Sequence, residues 1–250
     1  MNPAAPLSGK SVLVTGAARR IGAAIAQAMH SAGANVIIHY RDSADAAAAL
    51  NSELNRKRTG SALAARADLA DLGTLAQLLE QVTRQFGRLD VLVNNASSFY
   101  PTPVGEITAA QWDDLIGSNL KAPLFLSQLA APELKRHHGL ILNLIDIHAL
   151  RPLRHHTVYS VAKAGLAMLT RSLARELAPE VRVNGIAPGP VLWPEGEIEP
   201  EVKQEIMERT ALKRMGTPED VARAALFFAQ DAPYVTGQIL AVDGGRSVGW

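Results

Sequence analysis

Cysteine is absent from the 250 residues, which excludes disulfides and thiol chemistry. Neither sign of charge is in excess. Lys and Arg number 25 against 24 Asp and Glu, so nothing points to nucleic acid or an anionic membrane as a partner. No apolar run is long enough to span a bilayer. The opening MNPAAPLSGK lacks both the basic and the apolar region of a signal peptide. The expectation is a soluble cytoplasmic protein. There is no internal repeat and no low-complexity segment, and His155 and His156 have no ligand partners at metal-binding spacing, so no metal is expected. What remains is ordinary for a globular chain, 48% hydrophobic and 20% charged, and its length suits one domain over 1–250 with a sizeable core.

Short apolar runs alternate with longer helical segments. The runs are SVLVTG (11–16), NVIIHY (35–40), a weaker one within SALAARADL (61–69), LDVLVNNAS (89–97), GLILNLID (139–146), VRVNGIAP (181–188) and QILAVDGG (238–245). Helical spacing covers 21–32, 44–56, 74–86, 109–134, about 158–177, and stretches near 200–209 and 218–230. Gly33 and Gly87 stand where the first and third helices should stop. Gly117 and Pro123 predict an irregularity within the fourth. Strands that are apolar throughout, rather than alternately, belong to a sheet covered on both faces. Strands alternating with helices make parallel βαβ units. The fold class is therefore α/β, a doubly wound parallel sheet of about seven strands with helices on both faces, binding its ligand at the carboxyl ends of the strands.

Between the first strand and first helix lies TGAARRIG (15–22). Gly16 permits a tight turn, Gly22 lets the helix approach the sheet, and the helix N-terminus offers N–H groups to a phosphate. At the end of the second strand an acidic residue would favour NAD; here stand His39, Tyr40, Arg41, Asp42 and Ser43. The first three supply donors or positive charge suited to a 2′-phosphate, so NADPH is the expected cofactor, gripped by Arg41 and Ser43. Tyr159 and Lys163 lie four apart and share a helix face. An ammonium beside a phenol should lower the phenol toward working pH and make it a usable acid.

TGxxxGxG in this place, NNA ending the fourth strand and Tyr-x-x-x-Lys after the fifth resemble the short-chain dehydrogenase/reductase family, whose sheet is of the Rossmann type. The middle glycine is replaced by Arg20, and the resulting TGxxxRxG is similar to the pteridine reductase branch. The resemblance implies that Arg20 reaches the cofactor pyrophosphate and the substrate, and that Gly16, Ile21, Asp68, Leu69, Asn95, Ala96, Pro188 and Gly189 line the cofactor. It implies that Asn119 anchors a water relay to Lys163, which also holds the nicotinamide ribose. In NNASSFYPTP (94–103) it makes Ser97 a contact to both cofactor and pterin, and Phe99 the ring that stacks a pterin on the nicotinamide. Trp193, in the lid APGPVLWPEG (187–196), is bulkier than the family's usual residue and should face the substrate. Homotetramers are the family expectation.

The strand GLILNLID ends on Asp146, thirteen residues before Tyr159, where most family members carry serine. An ionised carboxylate repels a developing alkoxide and suits a C=N bond better, where a proton must reach nitrogen. The expected activity is NADPH-dependent reduction of a pterin: biopterin, dihydrobiopterin, dihydromonapterin or dihydrofolate. The alternatives are a ketone reductase of the 3-oxoacyl type and a non-catalytic NADP(H)-binding sensor, for which the proton relay would be superfluous.

Overall fold

The computed structural model describes residues 5–193 and 199–248. Seven strands form one sheet: β1 (Ser11–Val14), β2 (Asn35–Tyr40), β3 (Ala62–Arg66), β4 (Val91–Asn94), β5 (Leu140–Leu144), β6 (Arg182–Pro188) and β7 (Ile239–Val242). All pairings are parallel, in the order β3-β2-β1-β4-β5-β6-β7. Among the described residues, eight α-helices connect them: α1 (Arg20–Ser31), α2 (Ala44–Lys57), α3 (Leu72–Phe86), α4 (Ala109–Ile116), α5 (Ala122–Arg136), α6 (Thr157–Glu176), α7 (Pro200–Glu208) and α8 (Pro218–Gln230).

The uninterrupted apolar strands follow from their two-sided cover. Val12, Val14, Val36 and Ile38 pack on one face with Ile25 and Met29 of α1 and Phe228 of α8. Their neighbours Leu13 and Ile37, with Leu92 and Ile141, pack on the other against Leu75 and Leu78 of α3 and Leu126 and Leu134 of α5. Successive side chains point to opposite faces, so each position needs a hydrophobe. β7 departs from this expectation. It is an edge strand, and its Leu240 stays 40% exposed.

The chain winds outward from β1 to β3, then returns to lay β4 on the other side of β1. The two halves diverge there, opening a crevice at the carboxyl ends of β1 and β4. Thr15 stitches it: its Oγ1 accepts from the N–H groups of Asn95 (2.9 Å) and Ala96 (3.0 Å). The irregularity expected near Gly117 and Pro123 is a π-helical turn over Gly117–Lys121 joining α4 to α5. Pro123 has no N–H to give the carbonyl of Asn119 four residues back, so the α-helical ladder cannot run through Asn119. Among the described residues, no helix is long and apolar enough to cross a membrane.

Candidate active site

Several of the residues singled out by sequence converge on one cavity of about 150 Å³. Its lining includes Arg20 and Ile21 from the start of α1, Asn95 and Ser97 after β4, Asp146 after β5, Tyr159 and Lys163 of α6, and Pro188 and Gly189 at the end of β6.

Asp146 divides its carboxylate between two tasks. Oδ1 accepts from the backbone N–H of His148 at 2.8 Å, capping the short 3₁₀ turn Ile147–Ala149. Oδ2 accepts from the Tyr159 hydroxyl at 2.8 Å. The Lys163 ammonium donates to the Leu144 carbonyl at 2.9 Å and lies 5.6 Å from the Tyr159 ring centroid. Burial lowers Lys163 to about 8, against the field of Asp146, which favours its charged form. The phenol moves opposite to the sequence expectation. Burial pushes Tyr159 well above its ordinary value, and the neighbouring Asp146 charge and its hydrogen bond push it further. Burial first, and the carboxylate second, hold the phenol protonated.

Phe99 is 46% exposed. Its ring meets Tyr159 edge-on (centroids 4.8 Å, 79°) and lies flat on His156 (4.6 Å, 16°). His156 was not legible as a site neighbour, because its partner ring comes from a loop 57 residues earlier; the signal was its place three residues before Tyr159. Asn119, fully buried in the π turn, donates from Nδ2 to the carbonyls of Ser98 (2.9 Å) and Leu115 (3.0 Å). Its Oδ1 has no partner among the described residues.

The turn from Gly16 to Gly22 has the shape that a phosphate site requires. Gly16 adopts φ +61°, and a Cβ on Gly22 would stand 2.6 Å from Asn95 Nδ2 and nearer still to the Gly16 carbonyl oxygen. Asn95 Nδ2 donates to the carbonyls of Thr15 (2.8 Å) and Gly16 (3.1 Å). Arg20, where the family has glycine, itself takes a left-handed φ of +56° and donates from Nη2 to the Trp193 carbonyl at 3.2 Å. Trp193 thus contributes its backbone here, while its ring lies 5.7 Å from Lys203 Nζ of α7. The rest of the lid, 194–196, lies outside the described residues.

Beyond the carboxyl end of β2, Arg41 is exposed and paired with Asp42 at 2.7 Å, which cancels the one carboxylate in 39–43. Tyr40 and Ser43 flank them, Ser43 preceding α2 without a side-chain cap. Asp68 is exposed after β3, its Oδ1 accepting from Ala70 N–H (3.0 Å), with Leu69 half-buried beside it. His39 corrects the sequence reading. It is buried, and both ring nitrogens are engaged within the protein, Nδ1 with Gly16 N–H (3.1 Å) and Nε2 with the Ala67 carbonyl (3.1 Å). Burial lowers it to about 4, so it is neutral and has no charge for a phosphate.

These residues fit a nicotinamide dinucleotide: a close-approach turn at a helix N-terminus, a crevice at the switch point, and a Tyr–Lys pair at its far end. A family model described as enoyl-(acyl carrier protein) reductase matches residues 16–247. Pteridine reductase 1 of Leishmania tarentolae is 36% identical, over 99% of this chain and 98% of its own. A 3-oxoacyl-(acyl-carrier-protein) reductase of Staphylococcus aureus is 37% identical over 94% and 97%, and the 7alpha-hydroxysteroid dehydrogenase of Escherichia coli 36% over 96% and 94%. Matched along nearly its whole length by sequence and carrying the parallel seven-stranded sheet, this chain belongs to the short-chain dehydrogenase/reductase family of oxidoreductases.

Proposed function

We propose that the protein is an NADPH-dependent pteridine reductase. The observation that carries the reading is the 2.8 Å hydrogen bond from the Tyr159 hydroxyl to Asp146. Reduction of a C=N bond adds a hydride at carbon and a proton at nitrogen, and the bound reduced nicotinamide supplies the hydride. The chain must therefore place the ring and deliver the proton. A phenolate beside a carboxylate is the least favourable charge state of this pair. The proton that leaves Tyr159 for nitrogen is accordingly replaced from solvent along the relay through Lys163 and Asn119, while Asp146 orients the phenol through its hydrogen bond. An alkoxide forming beside Asp146 would meet repulsion instead, which disfavours ketones.

Phe99 and Ser97 position the pterin, Phe99 offering ring area for stacking. Arg20 binds pyrophosphate and pterin, and Trp193 borders the substrate side chain. Lys163 holds the nicotinamide ribose, and Asn119 carries the relay toward it. Gly16, Ile21, Asp68, Leu69, Asn95, Ala96, Pro188 and Gly189 line the cofactor. Arg41 and Ser43, with Tyr40 beside them, favour the 2′-phosphate and hence NADPH over NADH. The reading includes a cytoplasmic homotetramer, supported by apolar side chains left exposed on helices and edge strand alike: Leu129, Val161, Met168, Phe227 and Leu240. Light scattering should give four times the 26.7 kDa chain mass; a monomer would count against it.

The similarity to the staphylococcal reductase, as high as that to the pteridine reductase, supports a second reading as a 3-oxoacyl ketone reductase. NADPH oxidation against a panel of pterins and a 3-oxoacyl thioester separates the two. Pterin turnover is expected to dominate. Thioester turnover without any pterin turnover would overturn the proposal, and Asp146→Ser should then raise the ketone rate.

A further inference from the structure

His39 is a buried titratable group that the proposed chemistry leaves unused. Its surroundings specify its state. Nδ1 faces the N–H of Gly16 at 3.1 Å and must accept, while Nε2 faces the carbonyl of Ala67 at 3.1 Å and must donate. Only the neutral Nε2–H tautomer satisfies both. The other tautomer sets hydrogen against hydrogen and lone pair against lone pair, and an imidazolium loses the Gly16 bond. The backbone adds to the tie. The His39 carbonyl accepts from Ala17 N–H (2.9 Å), and Ala67 N–H donates to the Tyr40 carbonyl (3.1 Å).

We propose that His39 is a positioning residue for the dinucleotide, a neutral strut that holds the phosphate turn at Gly16 and the adenine-side loop at Ala67 at one separation. Each ring nitrogen fixes one half of the adenosine end. On one side the turn runs on to Arg20 and Ile21 at the cavity wall; on the other, Ala67 is followed directly by Asp68 and Leu69. The first two N–H groups of the turn are consumed by His39, so an anion is left to the residues that follow. This role needs only a bound dinucleotide and is independent of which substrate is reduced.

Two substitutions divide the ring. In His39→Asn, Oδ1 replaces Nδ1 as the acceptor for Gly16, with nothing reaching Ala67. In His39→Gln the amide reaches Ala67 but leaves Gly16 N–H without its acceptor. Calorimetric titration with NADP⁺ should show an affinity loss of about tenfold or more for the Gln form and about threefold for the Asn form. A residue that merely fills space would not distinguish the two. Equal affinities across wild type and both variants, or a loss in the Asn form as large as in the Gln form, would overturn the proposal. Failure of the wild type to bind NADP⁺ would instead fault the dinucleotide site itself. Should either variant fail to fold, ¹⁵N-histidine spectra of the wild type decide: Nε2–H at pH 7 is expected, and Nδ1–H or a charged ring refutes the strut.

Discussion

Asp146 spends one oxygen on a backbone N–H and the other on a phenol, so its two roles can be separated by substitution. Asn keeps an acceptor for His148 but removes the negative charge that faces the phenol. Asp146→Asn is therefore expected to lower kcat for a pterin about a hundredfold with little loss of melting temperature; an unchanged kcat would reduce the carboxylate to a cap. Arg20 presents the opposite balance. Its left-handed backbone costs about 1 kcal/mol that glycine would not incur. Arg20→Gly should raise stability in urea by up to about 1 kcal/mol while weakening NADP⁺ binding about tenfold, through loss of a charge-assisted contact. Residue identity carried much of this chemistry. Asp146 was conspicuous as a charge ending an apolar strand, and the thirteen-residue interval to Tyr159 tied it to the phenol. The direction of the phenol's shift was not visible, because it depends on burial and on which neighbour is nearer. The same holds for His39, whose type suggested a phosphate ligand until its two partners, 23 and 28 residues away, showed a closed environment.

At the level of elements, periodicity placed β2 at its observed limits, and Gly117 and Pro123 marked an irregularity that the structure resolves as the π turn Gly117–Lys121. These signals are local: a proline removes a donor, and a buried strand needs continuous hydrophobes. β7 was harder to read, since QILAVDGG looks as apolar as the central strands yet lies at the sheet edge with Leu240 exposed. Position within a sheet is set by partners, and no local pattern encodes them. The first turn offers the sharpest test of an element junction. A methyl at Gly22 would press on the Gly16 carbonyl and on Asn95, both fixed by hydrogen bonds. Gly22→Ala should cost about 1–3 kcal/mol in chemical unfolding and abolish measurable dinucleotide binding; wild-type binding would mean that the turn can yield.

Over the whole molecule, the buried neutral His39 gives stability a definite pH dependence. Its ordinary value is 6.5 and the fold lowers it to about 4, with burial dominant and the Ala67 hydrogen bond, then the nearby Asp68 charge, opposing. The unfolded chain takes up this proton first. The contribution is complete above pH 6.5, declines as pH falls toward 4 and levels off below, a loss of roughly 3 kcal/mol. Urea unfolding at pH 7 and pH 4.5 should show part of that decline, and His39→Asn should flatten it. The seam between β1 and β4 has a further consequence, for the order of events during folding. It joins residues about 80 positions apart, Asp90 accepting from Ser11 N–H and Thr15 from Asn95 N–H. Two βαβ units must be synthesised, and the intervening chain closed into a loop, before those bonds can form. The dinucleotide crevice exists only once that closure is complete. Cofactor binding is thus a late event that distinguishes finished molecules from compact partial ones, and a saturating dinucleotide protects the former alone.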